Sequence, residues 1–323
     1  MKKAGFFYVF MVILILILPL IIVKGCGHHL GPSGKPGKVK INVYLHLQNK
    51  ICQMDLEDYT ICVVAAEMPA EFDPEALKAQ AVAARTYAYS RLKKMYVPSE
   101  SIHPYADVCS DPGHCQAFIS REDAMKKWGS QAKTMWSKIS KAVYDTRGII
   151  IYYDGNVVNP LFHSNSGGKT EDIEDVWGGT TVPYLRSVKS PGEESESDYE
   201  SVKSIKTNEF VSLLKEHFKG LKIDEKDPLE SIKIIDYTAG GRIRNIKVGN
   251  MNLKGTDIRS ALSLKSANFK IEKSGKDALK ITARGNGHGV GMSQAGANYL
   301  AKKGKSFEQI LKYYYKGVNL GGL

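Results

Sequence analysis

Hydrophobic positions change their spacing several times along the chain, and each spacing predicts a different element. Residues 4–23 (AGFFYVFMVILILILPLIIV) are apolar without interruption, with Lys2 and Lys3 before them and Lys24 after, a length that matches the hydrocarbon core of a bilayer. No small-residue cleavage site follows, so the run predicts an uncleaved, single-pass transmembrane anchor rather than a signal peptide. Residues 1–3, which are basic, then stay in the cytoplasm and the rest of the chain lies outside. A lipoprotein signal ending at Gly25-Cys26 is the rival reading, and Lys24 fits it poorly. Residues 24–39, rich in Gly and Pro, predict a flexible linker.

From Lys40 to the C-terminus the pattern is that of a folded domain. INVYLHL (41–47) alternates as a strand does, and LEDYTICVVAAE (56–67) reads as a helix that Pro69 terminates. Glu67 falls at the end of that helix, among Val63, Val64, Ala65, Ala66 and Met68. Asp73-Pro74-Glu75 supplies an N-cap, a proline at the first helical position and an acid in the first turn of a helix running to about Lys94. Its Ala81, Ala84 and Ala88 allow close approach of a neighbour, and Arg85 shares their face, as a salt-bridge partner or as a group orienting Glu67 or a sugar amide. Glu57, Asp58, Glu71 and Asp73 read as surface or capping acids.

Ser120 and Asp123 open another helix with a capping-box pattern. GIIIYY and VVNPLFH flank Asp154-Gly155-Asn156, which predicts a hairpin delivering the polar loop Ser164-Asn165-Ser166-Gly167-Gly168. A second hairpin is predicted where SIKIIDY and RIRNIKV flank Ala239-Gly240-Gly241, inside a possible inserted subdomain spanning 204–274. ALKITAR leads as a strand into GNGHGVG, and helices follow from Ser293 to Gly304 and from Ser306 to about Tyr315. The class is α+β, mixed helices and antiparallel hairpins with a smaller inserted subdomain.

Composition narrows the function. Apolar residues make up 43% and charged residues 24%, as in a globular protein. Lys and Arg number 45 against 34 Asp and Glu, a net charge of +11. Outside a membrane such a surface suits an anionic matrix or lipid heads, or only keeps the protein soluble, and the location argues against nucleic acid. GNGHGVG lacks the lysine of a P-loop and the spacing of a dinucleotide fingerprint, so no organic cofactor is expected. Its glycines instead turn the backbone and expose His288 or the following Ser293 and Gln294. His103, Cys109 and Cys115 form H-x5-C-x5-C, a soft sulfur and imidazole set that suits tetrahedral Zn²⁺. Water or His114 would complete the shell, although His114 adjoins Cys115 and is poorly placed to reach the same ion. A Cys109–Cys115 disulfide and two unrelated thiols are the alternatives. No carboxylate at HExxH-like spacing accompanies these ligands, which weakens the case for a zinc hydrolase.

The blocks AAEMPAEFDPEALKAQAVAARTYA, SNSGG, LKGTDIRSALSLKSANF and NGHGVGMSQAGA occur in this order. Together they resemble the SpoIID family of sporulation proteins and its LytB-like relatives, from about residue 40 to the C-terminus. The resemblance implies a lytic transglycosylase that breaks the β-1,4 bond between N-acetylmuramic acid and N-acetylglucosamine in peptidoglycan and leaves a 1,6-anhydro end. It places the catalytic acid at Glu67. It also favours sugar contacts from Ser164, Asn165 and Ser166, and assigns Tyr184 and Arg186, a Tyr-x-basic pair, to the glycan groove. The implied substrate is glycan stripped of stem peptides, and the implied partners are a cell-wall amidase and a multi-pass membrane scaffold acting during engulfment. A wall-binding module that has lost catalysis and only activates the amidase is the alternative.

Overall fold

In the computed structural model, which describes residues 38–96, 103 and 105–323, the first strand β1 (Lys40–Leu45) turns at Asn49 and returns as β2 (Lys50–Asp55). Asn49 takes a left-handed conformation with φ 48°, which a short polar side chain tolerates. β2 follows the predicted strand directly and is not marked by alternation, because none of its residues is buried on either face. β3 (Val108–Cys109) adds to the other edge of β1 in parallel.

Asp55 ends β2 and caps helix α1 (Leu56–Glu67) by accepting from the Glu57 amide. α1 stops where Met68 becomes extended (φ −126°, ψ 137°), the conformation that the following Pro69 imposes. Glu67 is therefore the last helical residue. Asp73 then caps α2 (Pro74–Leu92), accepting from the Glu75 amide, with Pro74 at its start. α2 is buried around its whole circumference, with Ala76, Ala79, Ala81, Val82, Ala83, Ala84 and Ala88 fully enclosed, which is why no single apolar stripe marks it. The next helical stretch breaks at Gly129 (φ 54°) into α3 (Arg121–Trp128) and α4 (Ala132–Asp145). Against α2 pack α1, α4, the strand β4 (Ile149–Tyr153) and the late helices α8 (Gln294–Lys302) and α9 (Phe307–Tyr314). These elements share the main hydrophobic core.

The first hairpin is shorter than predicted. β4 pairs with β5 (Asn156–Val157) around Asp154 and Gly155, both at positive φ, but the pairing ends at Val157. Pro160 has no amide to offer a ladder, and β6 (Phe162–His163) instead pairs in parallel with β13 (Met292–Ser293). The Ser164–Gly168 loop is thus held by the GNGHGVG segment rather than by the hairpin. Asn165 and Asn286 exchange backbone hydrogen bonds of 3.0 and 2.7 Å. Between these parts runs the short helix α5 (Ile173–Trp177).

A second hydrophobic core draws its buried residues from Ile205 to Ala283. It holds β7 (Glu200–Lys206), α6 (Thr207–His217), β8 (Ile232–Tyr237), β9 (Ile243–Val248), β10 (Met251–Lys254), α7 (Gly255–Ala261), β11 (Phe269–Lys273) and β12 (Ala278–Arg284). β8 and β9 form the predicted second hairpin, bulged near Asp236, and β12 lies between β11 and β7. The 204–274 segment falls inside this core, whose strands reach further on both sides because β7 pairs along its length with β12. Mixed helices and sheets make the fold α+β. The apolar run 4–23 and the linker as far as residue 37 lie outside the described residues, and among those described no helix is long and apolar enough to cross a membrane.

Candidate functional site

Three separate elements converge on Glu67. Its own helix and the residue that follows it bring the buried Val63, Val64, Ala65 and Met68. The Ala117 amide donates to Glu67 Oε1 at 2.7 Å, from a loop tied to α1 by the Ile119 amide bonding Cys62 O at 3.2 Å. Gln294, at the start of α8, lies close enough to favour the charged carboxylate and donates to Gln80 Oε1 on α2 at 3.4 Å. Burial raises the Glu67 pKa, and the Ala117 amide and Gln294 only partly oppose it. The result is a half-buried carboxyl that takes up a proton more readily than an ordinary glutamate and is held in one orientation. Such a group can donate a proton and then take one back.

The loop that supplies Ala117 also carries a candidate metal centre. His103, Cys109, His114 and Cys115 place their ligand atoms within 4.8 Å of one another. Cys115 Sγ lies 3.4 Å from His103 Nε2 and 3.3 Å from His114 Nδ1, and Cys109 Sγ lies 3.5 Å from His114 Nδ1. A tetrahedral zinc shell has ligand-to-ligand edges of about 3.3–3.8 Å, given its usual bond lengths, so the donor set fits. His103 Nδ1 sits 3.2 Å from Ala106 O, which turns Nε2 inward. His114, unpromising as a ligand beside Cys115, joins the group because the turn at Asp111–Gly113 folds its ring back over both sulfurs. Cys109 and Cys115 are free thiols. A hydrogen bond from Cys109, aided by His103 and His114, draws Cys115 down to about 4, while the same bond and burial push Cys109 up.

Several other expected contacts lie elsewhere. Arg85 is fully buried and pairs with Glu57, Nη2 to Oε2 at 2.6 Å, while its remaining donors go to Val143 O, Ile149 O and Thr146. It reaches neither Glu67 nor a groove, and Glu57 is a buried ion-pair partner rather than a surface acid. Asn165 and Ser166 are equally enclosed. Ser166 donates to Glu193 Oε2 at 2.6 Å, Asn165 donates to Asp198 at 3.2 Å, and Ser164 donates to the same Asp198. Tyr184 is 6% exposed and its hydroxyl accepts from the Asn159 amide, so its ring packs in the core and cannot stack on a sugar. Arg186 pairs with Asp172 and Glu174 beside α5. Ser293 is fully buried, caps α8 through the Gly296 amide and donates to Glu193.

His288 lies next to Trp177, ring centroids 5.0 Å apart, and accepts from the Val290 amide through Nδ1. Burial and nearby Arg242 lower its pKa to about 4, so at neutral pH the ring is uncharged. Gly289 (φ 85°) permits this packing, since a Cβ there would meet the Arg242 guanidinium at 2.4 Å. Gln80, the Ala117 amide, Glu193 and Trp177 were not evident from sequence motifs. A lone Trp before two glycines, in VWGG, is the one such signal that could have been read.

A family model described as SpoIID, stage II sporulation protein, matches residues 44–153. The chain is 39% identical to stage II sporulation protein D of Bacillus subtilis over 287 residues, 88% of this chain and 80% of that protein. It is 38% identical to the same protein of Bacillus amyloliquefaciens, over 90% of this chain and 80% of that one. A more distant similarity, 26% identity over 80% of this chain and 39% of the other, is to the amidase enhancer of Bacillus subtilis.

Proposed function

The chain belongs to the stage II sporulation protein D family, and from that premise we propose that it is a lytic transglycosylase of peptidoglycan with Glu67 as its acid and base. The observation that carries this reading is the Glu67 carboxyl itself, raised in pKa by burial and fixed by the Ala117 amide at 2.7 Å. Hydrolytic glycosidases use two carboxyl groups, one for the leaving oxygen and one to attack or to activate water. A transglycosylase needs one, because the C6 hydroxyl of the muramic acid residue is tethered beside the anomeric carbon and replaces the second group. Glu67, protonated, gives its proton to the glycosidic oxygen as the C1–O bond breaks. It then accepts the proton of the C6 hydroxyl as O6 bonds to C1. The anhydro ring closes, no water is consumed, and Glu67 ends protonated again.

The Ala117 amide holds the carboxyl for both transfers. The reaction needs Glu67 in its acid form, so the rate falls as pH rises through its raised pKa and holds below it. Glu67→Gln keeps the shape and loses the proton, and turnover drops by roughly 10²–10⁴-fold with glycan binding retained. Wild-type turnover in that variant would reassign the acid.

His103, Cys109, His114 and Cys115 would hold Zn²⁺. When bound, the ion neutralises thiolate charge and cross-links the loop. The loop carries the Ala117 amide, so chelation is expected to lower the melting temperature and reduce turnover together. Lost turnover with unchanged melting would instead favour a catalytic metal.

The apolar run 4–23 supports a single-pass anchor in the cell membrane, with the domain facing the wall. An amidase and a membrane scaffold are the partners that the family resemblance suggests. The similarity to the amidase enhancer favours one second reading, a glycan-binding activator without chemistry of its own. Incubation of wild type with peptide-free glycan separates the two, since an activator leaves the strands intact.

A further inference from the structure

The sheet β10-β9-β8 covers the second core with one face and leaves the other outward. Ile246 and Val248 of β9 are buried in that core, with Ile232, Ile234, Met251 and Leu253 of the flanking strands packed against it. Alternation along the strands then assigns the exposed Lys233, Lys247, Asn252 and Lys254 to the outer face. The register sets Lys247 directly opposite Lys233 on one side and Asn252 on the other, and Lys254 opposite Asn245.

Like charges directly opposite one another in an antiparallel pair repel. Among the described residues none of these three lysines has an acid partner. Asp175 and Asp236 pair with Arg244, and Asp257 accepts from the Lys254 backbone amide. Protection of a bare sheet edge accounts for Lys233 on β8, but not for Lys247, which lies on the central strand. The edge itself carries apolar groups. Ile235 sits at the β8 bulge and is 53% exposed, and Tyr237, two residues on, is 56% exposed.

Unpaired lysines on a flat face suit an extended anion, either a soluble polymer or a bilayer. The apolar pair favours the bilayer, because an isoleucine gains nothing from a polyanion in water but leaves water at a membrane, where tyrosine also settles among the headgroups. Lys38 follows Val23, the end of the apolar run, by fifteen residues, at most about 54 Å of extended chain. The anchor proposed above therefore keeps a bilayer near the domain.

We propose that the outer face of β8, β9 and β10 is a docking surface for an anionic lipid bilayer, with Lys233, Lys247 and Lys254 meeting headgroup charge and Ile235 and Tyr237 entering the interface. The inference uses the anchor and not the glycan chemistry. Its consequence is one fixed orientation of the domain at the membrane.

The test is hydrogen–deuterium exchange of peptides covering residues 232–254, in the full-length protein reconstituted into nanodiscs of phosphatidylcholine alone or with added phosphatidylglycerol. Exchange in the anionic discs is slower by about fivefold or more, the factor that one lysine contributes near such a surface, and high salt removes the difference. Lys233→Gln with Lys247→Gln abolishes the slowing. Lys127→Gln with Lys133→Gln, an equal loss of charge at exposed positions elsewhere, leaves it intact. Ile235→Ser with Tyr237→Ser reduces it about fivefold. Equal exchange in both discs overturns the docking surface, as does slowing that survives loss of Lys233 and Lys247 in a protein with parental melting temperature. Slowing that ignores Ile235 and Tyr237, or that poly(glycerol phosphate) reproduces without lipid, assigns the face to a soluble polyanion and also overturns it. Failure of the chain to enter neutral discs defeats the anchor alone, and anionic discs added to the protein in solution then read the face by itself.

Discussion

Ser293 and Gln294 are neighbours at the start of α8, yet the two carboxylates near them have opposite surroundings. Ser293 donates to Glu193, which is fully buried and also accepts from the Ser166 amide and hydroxyl, the Gly168 amide and the Ser190 hydroxyl. Gln294 lies by Glu67, which accepts from the Ala117 amide and whose pKa burial raises. One carboxylate is saturated with donors and ties three segments together. The other is left short of them, in an apolar setting, where its proton is easily held and released. Glu57 shows a third solution, a buried guanidinium partner in Arg85. Burial of an acid is therefore no mark of function by itself, and the number and kind of donors around it separates the roles.

The comparison breaks most visibly at Glu57. Arg85→Ala leaves that carboxylate buried without its counter-ion and is expected to cost about 3–5 kcal/mol, read as a lowered urea midpoint. Replacing both partners together, Glu57→Leu with Arg85→Met, recovers most of the loss. If the single variant unfolds like wild type, the ion pair is not structural. Next in size, Glu193→Ala strands the Ser166 and Gly168 amides and destabilises by roughly 2–3 kcal/mol, again by denaturant titration.

Glu67 gives the smallest effect and the opposite sign. Its folded pKa is raised, so the ionised form weighs against folding at neutral pH, and this penalty disappears as pH falls and the carboxyl takes its proton. Glu67→Gln is thus expected to stabilise by about 1 kcal/mol at pH 7, with the gain fading toward acid pH. Melting curves across pH check it, and a destabilised variant at pH 7 would place Glu67 among the structural acids.

Much of the helical framework is legible because caps and stops are local. Asp73-Pro74-Glu75 marks α2, and Pro69 sets the end of α1 and so the position of Glu67. The candidate metal cluster is legible from His103, Cys109 and Cys115, but the place of His114 in it depends on a turn whose geometry adjacency alone does not reveal. Polar residues in the loops were harder. Ser164, Asn165, Ser166, Tyr184 and Ser293 look like surface groups until their partners are known, and Ser293 meets Glu193 from 100 residues away. A longer separation hides the contact between Gln80 and Gln294, 214 residues apart. Periodicity reports which face is buried, whereas pairing of buried polar groups is decided by tertiary contacts.

The most direct trial of the single-carboxyl mechanism is mass spectrometry of fragments released from peptide-free glycan by wild type and by Glu67→Gln. Fragments ending in an anhydro sugar, one water lighter than hydrolysis products, are expected from wild type, with essentially none from the variant. Fragments of hydrolytic mass, or equal release by both proteins, would contradict it.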